Sequence, residues 1–135
     1  MNRPITTLFM LMSVDGKIST GASDDLDVDK DFPKIAGVCE GLHQYYEIEQ
    51  TTDLWSLNSG RVQAKLGANT KKMPDKTPVS FVIIDNMHLD ENGIRYFCAL
   101  SKNFVLITSN EKHPAFNIKE ENFHIIHQKE LSLIN

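Results

Sequence analysis

The chain has 135 residues, of which 41% are hydrophobic and 24% are charged, and its formal net charge is -4 at pH 7. This composition is typical of a soluble globular protein and excludes disordered and fibrous classes. The acidic balance argues against a general nucleic-acid binder, whose surface is usually basic. The length predicts one domain over residues 1–135, with room for one site.

The sequence shows no segment with the length of a membrane span and no pattern of a secretory signal peptide. Cys39 and Cys98 lie far apart and have no C-x-x-C partner. Two widely separated cysteines are typical of free thiols in a reducing compartment. We therefore expect a cytoplasmic protein that binds neither membranes nor nucleic acid.

Residues 5–12 are rich in apolar and β-branched side chains without strict alternation, which predicts a strand that is covered on both faces and central in its sheet. A polar turn at residues 13–16 follows, and residues 19–31 form a loop rich in Ser, Gly and Asp. Pro33 then predicts the start of a helix whose apolar positions recur every three or four residues as far as Ile48. Gly37 and Gly41 weaken that helix.

The rest of the chain alternates strands and helices. Strands are predicted at residues 52–57, 79–84, 104–107 and 123–126, and helices at residues 61–66 and 91–100, with a surface connection at residues 71–78. This order indicates an α/β fold with a mainly parallel sheet, in which ligands bind at the carboxyl ends of the strands. Several strands end in small polar residues, so these ends are the candidate site.

One strand end, Asn58-Ser59-Gly60-Arg61, would open a helix with backbone N–H groups beside a cation, which is an arrangement that attracts phosphate. An ordinary strand-to-helix turn is the alternative. Asp15, which precedes a glycine, is interpreted as a cap of its own loop rather than as a general acid.

The five histidines suggest no metal site. His43, His88 and His113 are isolated, and we expect them at the surface or in loops. His124 and His127 would point to opposite faces of a strand, and they have no acidic or thiol partner at a suitable spacing.

The first residues fit the pattern R-P-x-x-T-x-x-x-x-x-S-x-D-G-x-I, in which a strand runs into a Ser-x-Asp-Gly turn. The chain thereby resembles the reductase domain of riboflavin biosynthesis, a relative of dihydrofolate reductase. The resemblance extends from Arg3 to about Asn110. It implies a dihydrofolate reductase-like three-layer sandwich with a mainly parallel central sheet. It also predicts that the fold is incomplete at its C-terminal end, where the family continues into a Gly-Gly loop and closing strands.

The resemblance further implies NADPH as cofactor, a homodimer, and hydride transfer to the ribosyl carbon of a small pyrimidine ribosylamine. The residues that it assigns to the cofactor are Leu11, Asn58, Ser59, Gly60, Arg61, Asn86, Thr108 and Ser109. The candidate substrate residues are Ser13, Asp15 and Ser23, and Lys72 or another cation is the candidate partner of the substrate phosphate. No catalytic side chain is assigned.

The chain departs from the family pattern in three places. Residues 58–65 read Asn-Ser-Gly-Arg-Val-Gln-Ala-Lys, where the family more often has Gly-x-Gly-Thr-Val-x-x-Asp. Glu49 stands where the family often has an arginine that pairs with the substrate phosphate, and Asp25 stands where it usually has a bulky residue. Two alternatives therefore stay open. The first is a different NADPH-dependent reductase of the same fold, acting on a pteridine or related heterocycle, and the second is a non-catalytic nucleotide-binding or assembly module.

Overall fold

The structure is a computed structural model that describes residues 5–8, 10, 12, 14, 31–38, 41–52 and 54–129. Its contacts divide the chain into two compact units, Met1–Thr51 and Thr52–Asn135. The candidate site lies in the second unit.

The first unit contains a short 3-10 helix at Phe32–Lys34, and helix α1 covers Leu42–Thr52. The predicted single helix from Pro33 to Ile48 is therefore wrong. Gly37 has a φ of +84°, in the left-handed region that glycine adopts without steric cost, and it separates the two elements.

The expected central strand at residues 5–12 is also wrong at the positions that the structure describes there. Residues 5–8, 10 and 12 have no strand assignment, and Ile5 and Leu8 are 95% and 82% exposed. Apolar and β-branched composition favours a strand only where a neighbouring strand supplies hydrogen bonds and packing. Composition alone does not identify that neighbour.

The second unit alternates strands and helices as predicted. In chain order it contains β1 (Trp55–Ser59), α2 (Gly60–Lys65), β2 (Ser80–Ile84), α3 (Glu91–Leu100), β3 (Phe104–Thr108), a 3-10 helix (Pro114–Asn117) and β4 (Phe123–His127). The prediction for α3 is confirmed at both ends. The side chain of Asp90 accepts a hydrogen bond from Gly93 N at 3.0 Å, and Glu91 places an acidic residue in the first turn.

The four strands form one sheet in the order β1-β2-β3-β4, and every neighbouring pair is parallel. The prediction of an α/β fold with a parallel sheet is therefore confirmed. The finer dihydrofolate reductase-like architecture stays a prediction. Within the described residues, no helix combines the length and the apolar character needed to cross a bilayer.

The core lies between one face of the sheet and α3. Ile83, Phe104 and Leu106 from the sheet and Ile94 from α3 are all fully buried. Phe97 of α3 lies 5.6 Å from Phe104, measured between ring centroids. These contacts hold β2 and β3 side by side, and this fixes where their carboxyl ends lie.

Candidate functional site

The carboxyl ends of β1, β2 and β3 lie next to one another. Ser59 is in register with Ile84, and Asp85 N donates to Ile107 O at 3.0 Å. Because the strands are parallel and adjacent, the residues that follow them share one edge of the sheet. We call this the carboxyl edge, and it comprises residues 58–61, 85–88 and 108–110.

Most of the predicted cofactor residues are brought together at the carboxyl edge. They are Asn58, Ser59, Gly60, Arg61, Asn86, Thr108 and Ser109. Lys72 is exposed in the connection between α2 and β2. The remaining predicted residues, Leu11, Ser13, Asp15 and Ser23, lie outside the described residues.

The start of α2 is fixed to β1 by Asn58. The Asn58 amide donates to Ser56 Oγ at 2.9 Å, and its oxygen accepts from Gln63 Nε2 at 3.1 Å. Ser59 occupies the N-cap position of α2, but its side chain makes no capping hydrogen bond. The Ser59 hydroxyl and the Arg61 side chain both belong to exposed residues.

Gly60 is buried against the side chain of Asp85. A Cβ at position 60 would overlap Cβ, Cγ and Oδ1 of Asp85. Only glycine permits this approach of the α2 backbone to the end of β2. The glycine therefore has a packing role whatever ligand the edge binds.

Asn86 joins the ends of β2 and β3. Its side-chain oxygen accepts from Thr108 Oγ1 at 3.1 Å, from Ser109 N at 2.8 Å and from Ser109 Oγ at 3.0 Å. Thr108 Oγ1 also accepts from Asn110 N at 3.1 Å, and Thr108 is fully buried. Thr108 therefore positions the edge, whereas the partly exposed Ser109 is accessible to a ligand.

The carboxylate of Asp85 is the most highly connected group at the edge. It accepts from Leu89 N at 2.8 Å, from His88 N at 3.0 Å and from the rings of His88 and His113 at 3.0 Å each. Burial favours the neutral acid, but the hydrogen bonds from His113, Leu89 and His88 outweigh it and hold the pKa of Asp85 well below its usual range. Asp85 is thus a buried carboxylate that stays ionised.

His113 lies in the loop before the 3-10 helix, which agrees with the expectation of a surface or loop residue, but it is only 1% exposed. Its Nε2 bonds to Asp85 Oδ2, and its Nδ1 accepts from Ala115 N at 3.2 Å. This arrangement requires the neutral ring with its proton on Nε2. Both ring nitrogens are therefore used within the fold.

His88 has a 40% exposed side chain, as a surface histidine should, but its Nδ1 bonds to Asp85 Oδ1 at 3.0 Å. Sequence reasoning missed this pair. The available signal was the D-x-x-H spacing directly after a predicted strand, because a tight turn brings side chains three residues apart onto one side. The spacing does not show that His113, 28 positions after Asp85, joins the same carboxylate.

Outside the carboxyl edge, the described residues of the second unit offer weaker candidates for a binding or catalytic site. Among the described residues, no group of three or more His, Cys, Asp or Glu side chains is placed to hold a metal ion. Cys98 is buried, and desolvation together with the charge of Glu120 raises its thiol pKa to about 11. A shallow depression of about 530 Å³ is lined by residues 118–121 and 123–125 and contains none of the predicted site residues.

No protein-family model, curated protein or solved structure matches this chain. The candidate site therefore rests on the geometry of the carboxyl edge.

Proposed function

We propose that this chain is an NADPH-dependent reductase that binds its dinucleotide along the carboxyl edge. One observation carries the proposal. Three adjacent parallel strands end side by side, with Ser59 as the last residue of β1 and with Asn86 and Ser109 just after β2 and β3. Parallel α/β sheets bind their ligands at this end of the strands.

The chemistry of the edge suits a phosphate group. Ser59 carries a hydroxyl that makes no capping hydrogen bond, and Arg61 adds a cation on an exposed residue of α2. Asp85 adds a negative charge nearby, but its side chain is 0% exposed and its oxygens are occupied by hydrogen-bond donors. The carboxylate is therefore turned into the fold rather than toward a ligand.

The proposed reaction is hydride transfer to the ribosyl carbon of a phosphorylated pyrimidine ribosylamine, as the family resemblance implies. The nicotinamide supplies the hydride, and the protein aligns donor and acceptor. Such a site needs neither an activated nucleophile nor a metal cluster.

Calorimetry with NADPH and NADH tests the proposal. Arg61→Ala should weaken NADPH binding by about 1–3 kcal/mol, because it removes a charge-assisted contact, and should weaken NADH less. Lys102→Ala is the control, since Lys102 is exposed just before β3, at the opposite end of that strand. Failure of the unmodified chain to bind NADPH would refute the proposal.

The oxidation of NADPH with a panel of substrates separates the enzymatic alternatives. Turnover of pyrimidine ribosylamines supports the riboflavin-type reaction, and turnover of pterins alone supports the other reductase. Binding of NADPH without turnover of either class would identify a nucleotide-binding module.

A further inference from the structure

Two imidazole rings share the carboxylate of Asp85, and they differ in what their second nitrogen does. His113 is fully buried and uses both nitrogens within the fold. His88 uses only Nδ1, and among the described residues its Nε2 has no hydrogen-bond partner. One ring is therefore structural, whereas the other belongs to a 40% exposed side chain whose second nitrogen is not used within the described fold.

His88 is also held in place by its backbone. Its N–H donates to Asp85 Oδ2 at 3.0 Å, and its carbonyl oxygen accepts from Asn69 Nδ2 at 2.9 Å. Because Asp85 accepts the Nδ1–H, Nε2 is the ring nitrogen that is left to exchange a proton with a ligand. A fixed imidazole with a defined tautomer at a ligand-binding edge has the features of an acid–base group.

We propose that His88 is the proton donor of this site and protonates the substrate through Nε2 as the hydride is transferred. This inference rests on the proposed reductase function. It adds a catalytic residue that the sequence resemblance does not assign.

The step balances when the acceptor is the C=N bond of the opened ribosylamine. The hydride from the nicotinamide forms the new C–H bond, and the π electron pair moves to nitrogen. The nitrogen takes the proton from Nε2 of the imidazolium. NADPH becomes NADP⁺, the substrate becomes the ribitylamine, and neutral His88 regains a proton from water.

Charged and ionisable residues lie on the elements that contact this ring or its carboxylate partner. Asp85 contacts it directly, and His113 shares the same carboxylate. Asp90 lies two residues further on and accepts from Gly93 N, while α2, whose Gly60 contacts Asp85, carries Arg61 and Lys65.

The first measurement is the pH dependence of NADPH oxidation by the full chain and by His88→Gln, with a pyrimidine ribosylamine phosphate as substrate. The variant should lose about a hundredfold or more in kcat and should lose the decline in rate toward high pH, while its Kd for NADPH stays the same. His124→Gln, which changes an exposed histidine of β4, is the matched control and should keep both the rate and the profile.

The second measurement requires no turnover. Imidazole nitrogen NMR on the chain labelled at histidine should show neutral His88 with its proton on Nδ1. His113 should carry its proton on Nε2. A neutral His88 with its proton on Nε2 would overturn the proposal.

The outcomes separate the two proposals. If the unmodified chain fails to bind or oxidise NADPH, the reductase function fails and the proton-donor role fails with it. If the chain turns over but His88→Gln keeps the kcat and pH profile of the unmodified chain, the proton-donor role alone is wrong.

Discussion

The backbone of Gly60 lies against the side chain of Asp85, at a distance that leaves no room for a Cβ between them. This contact joins the start of α2 to the end of β2. It also covers the carboxylate whose ionised form is held by two histidines and by backbone N–H groups. The packing of the edge and its electrostatics therefore depend on each other.

Gly60→Ala should destabilise the second unit by about 1–3 kcal/mol, because the new methyl group overlaps a buried side chain. Urea unfolding measures the effect. Gly41→Ala is the matched control, since a Cβ there would meet only Val38 O at 3.6 Å. Equal stability of the two variants would mean that the contact between Gly60 and Asp85 relaxes at little cost.

Asp85→Asn should lower the free energy of unfolding at pH 7 by about 3 kcal/mol, because it removes a buried charge that several donors stabilise. The buried hydrogen bond to His113 and the part-buried one to His88 would both be weakened. Chemical unfolding at neutral pH measures this loss. His88→Gln, which changes only the exposed partner, should cost less.

The same carboxylate makes stability depend on pH. The pKa of Asp85 in the folded chain lies below its ordinary value of 3.8, so the stabilisation is fully present above that value. It is lost as the pH falls from about 4 toward the pKa of the folded state, because the unfolded chain takes up a proton first. Unfolding free energies measured between pH 2 and 7 should fall steeply on the acid side for the unmodified chain and less steeply for Asp85→Asn. If the unfolding free energies of the two proteins fell equally steeply toward low pH, the assignment of an ionised Asp85 would be contradicted.

Asn86→Ala should loosen the junction of β2 and β3, because three hydrogen bonds end on its side-chain oxygen. Leaving the buried Thr108 hydroxyl without its acceptor should cost about 1–3 kcal/mol of stability. NADPH affinity should fall as well, because Ser109 loses its support. Asn92→Ala on exposed α3 surface is the control for both measurements. Retention of full NADPH affinity by Asn86→Ala would place the ligand away from the end of β3.

The second unit could be predicted well from the sequence because its strands are short apolar runs bounded by clear turn residues. The predicted helix at residues 91–100 coincides with α3, where Asp90 and Glu91 give a strong start signal. The strand predicted at residues 79–84 differs from β2 by one residue. Such elements are specified locally, so local patterns locate them.

The first unit could not be predicted as well because its pattern is ambiguous. The apolar spacing between Pro33 and Ile48 fits one helix, but the left-handed backbone at Gly37 divides it. The first predicted strand depended on a partner that no local pattern identifies. The sequence predicts that β1 starts at residue 52, but the strand starts at Trp55 because α1 continues to Thr52.

The candidate site was predicted as a set of strand ends, and the parallel register brings those ends together. The hydrogen bonds that join these strand ends could not be predicted from the sequence. Asn86 bonds to residues 22 and 23 positions later, and His113 reaches Asp85 from 28 positions away. Side chains that meet only after the sheet has formed leave no spacing signal in the sequence.

The central claim is that the carboxyl edge of β1, β2 and β3 is where the ligand binds. Backbone amide NMR during titration with NADPH tests it most directly, because each residue other than proline gives its own amide signal. The account predicts saturable shifts concentrated at Ser59, Gly60, Asn86 and Ser109. Shifts confined to the depression at residues 118–125, or no saturable shifts at all, would contradict it.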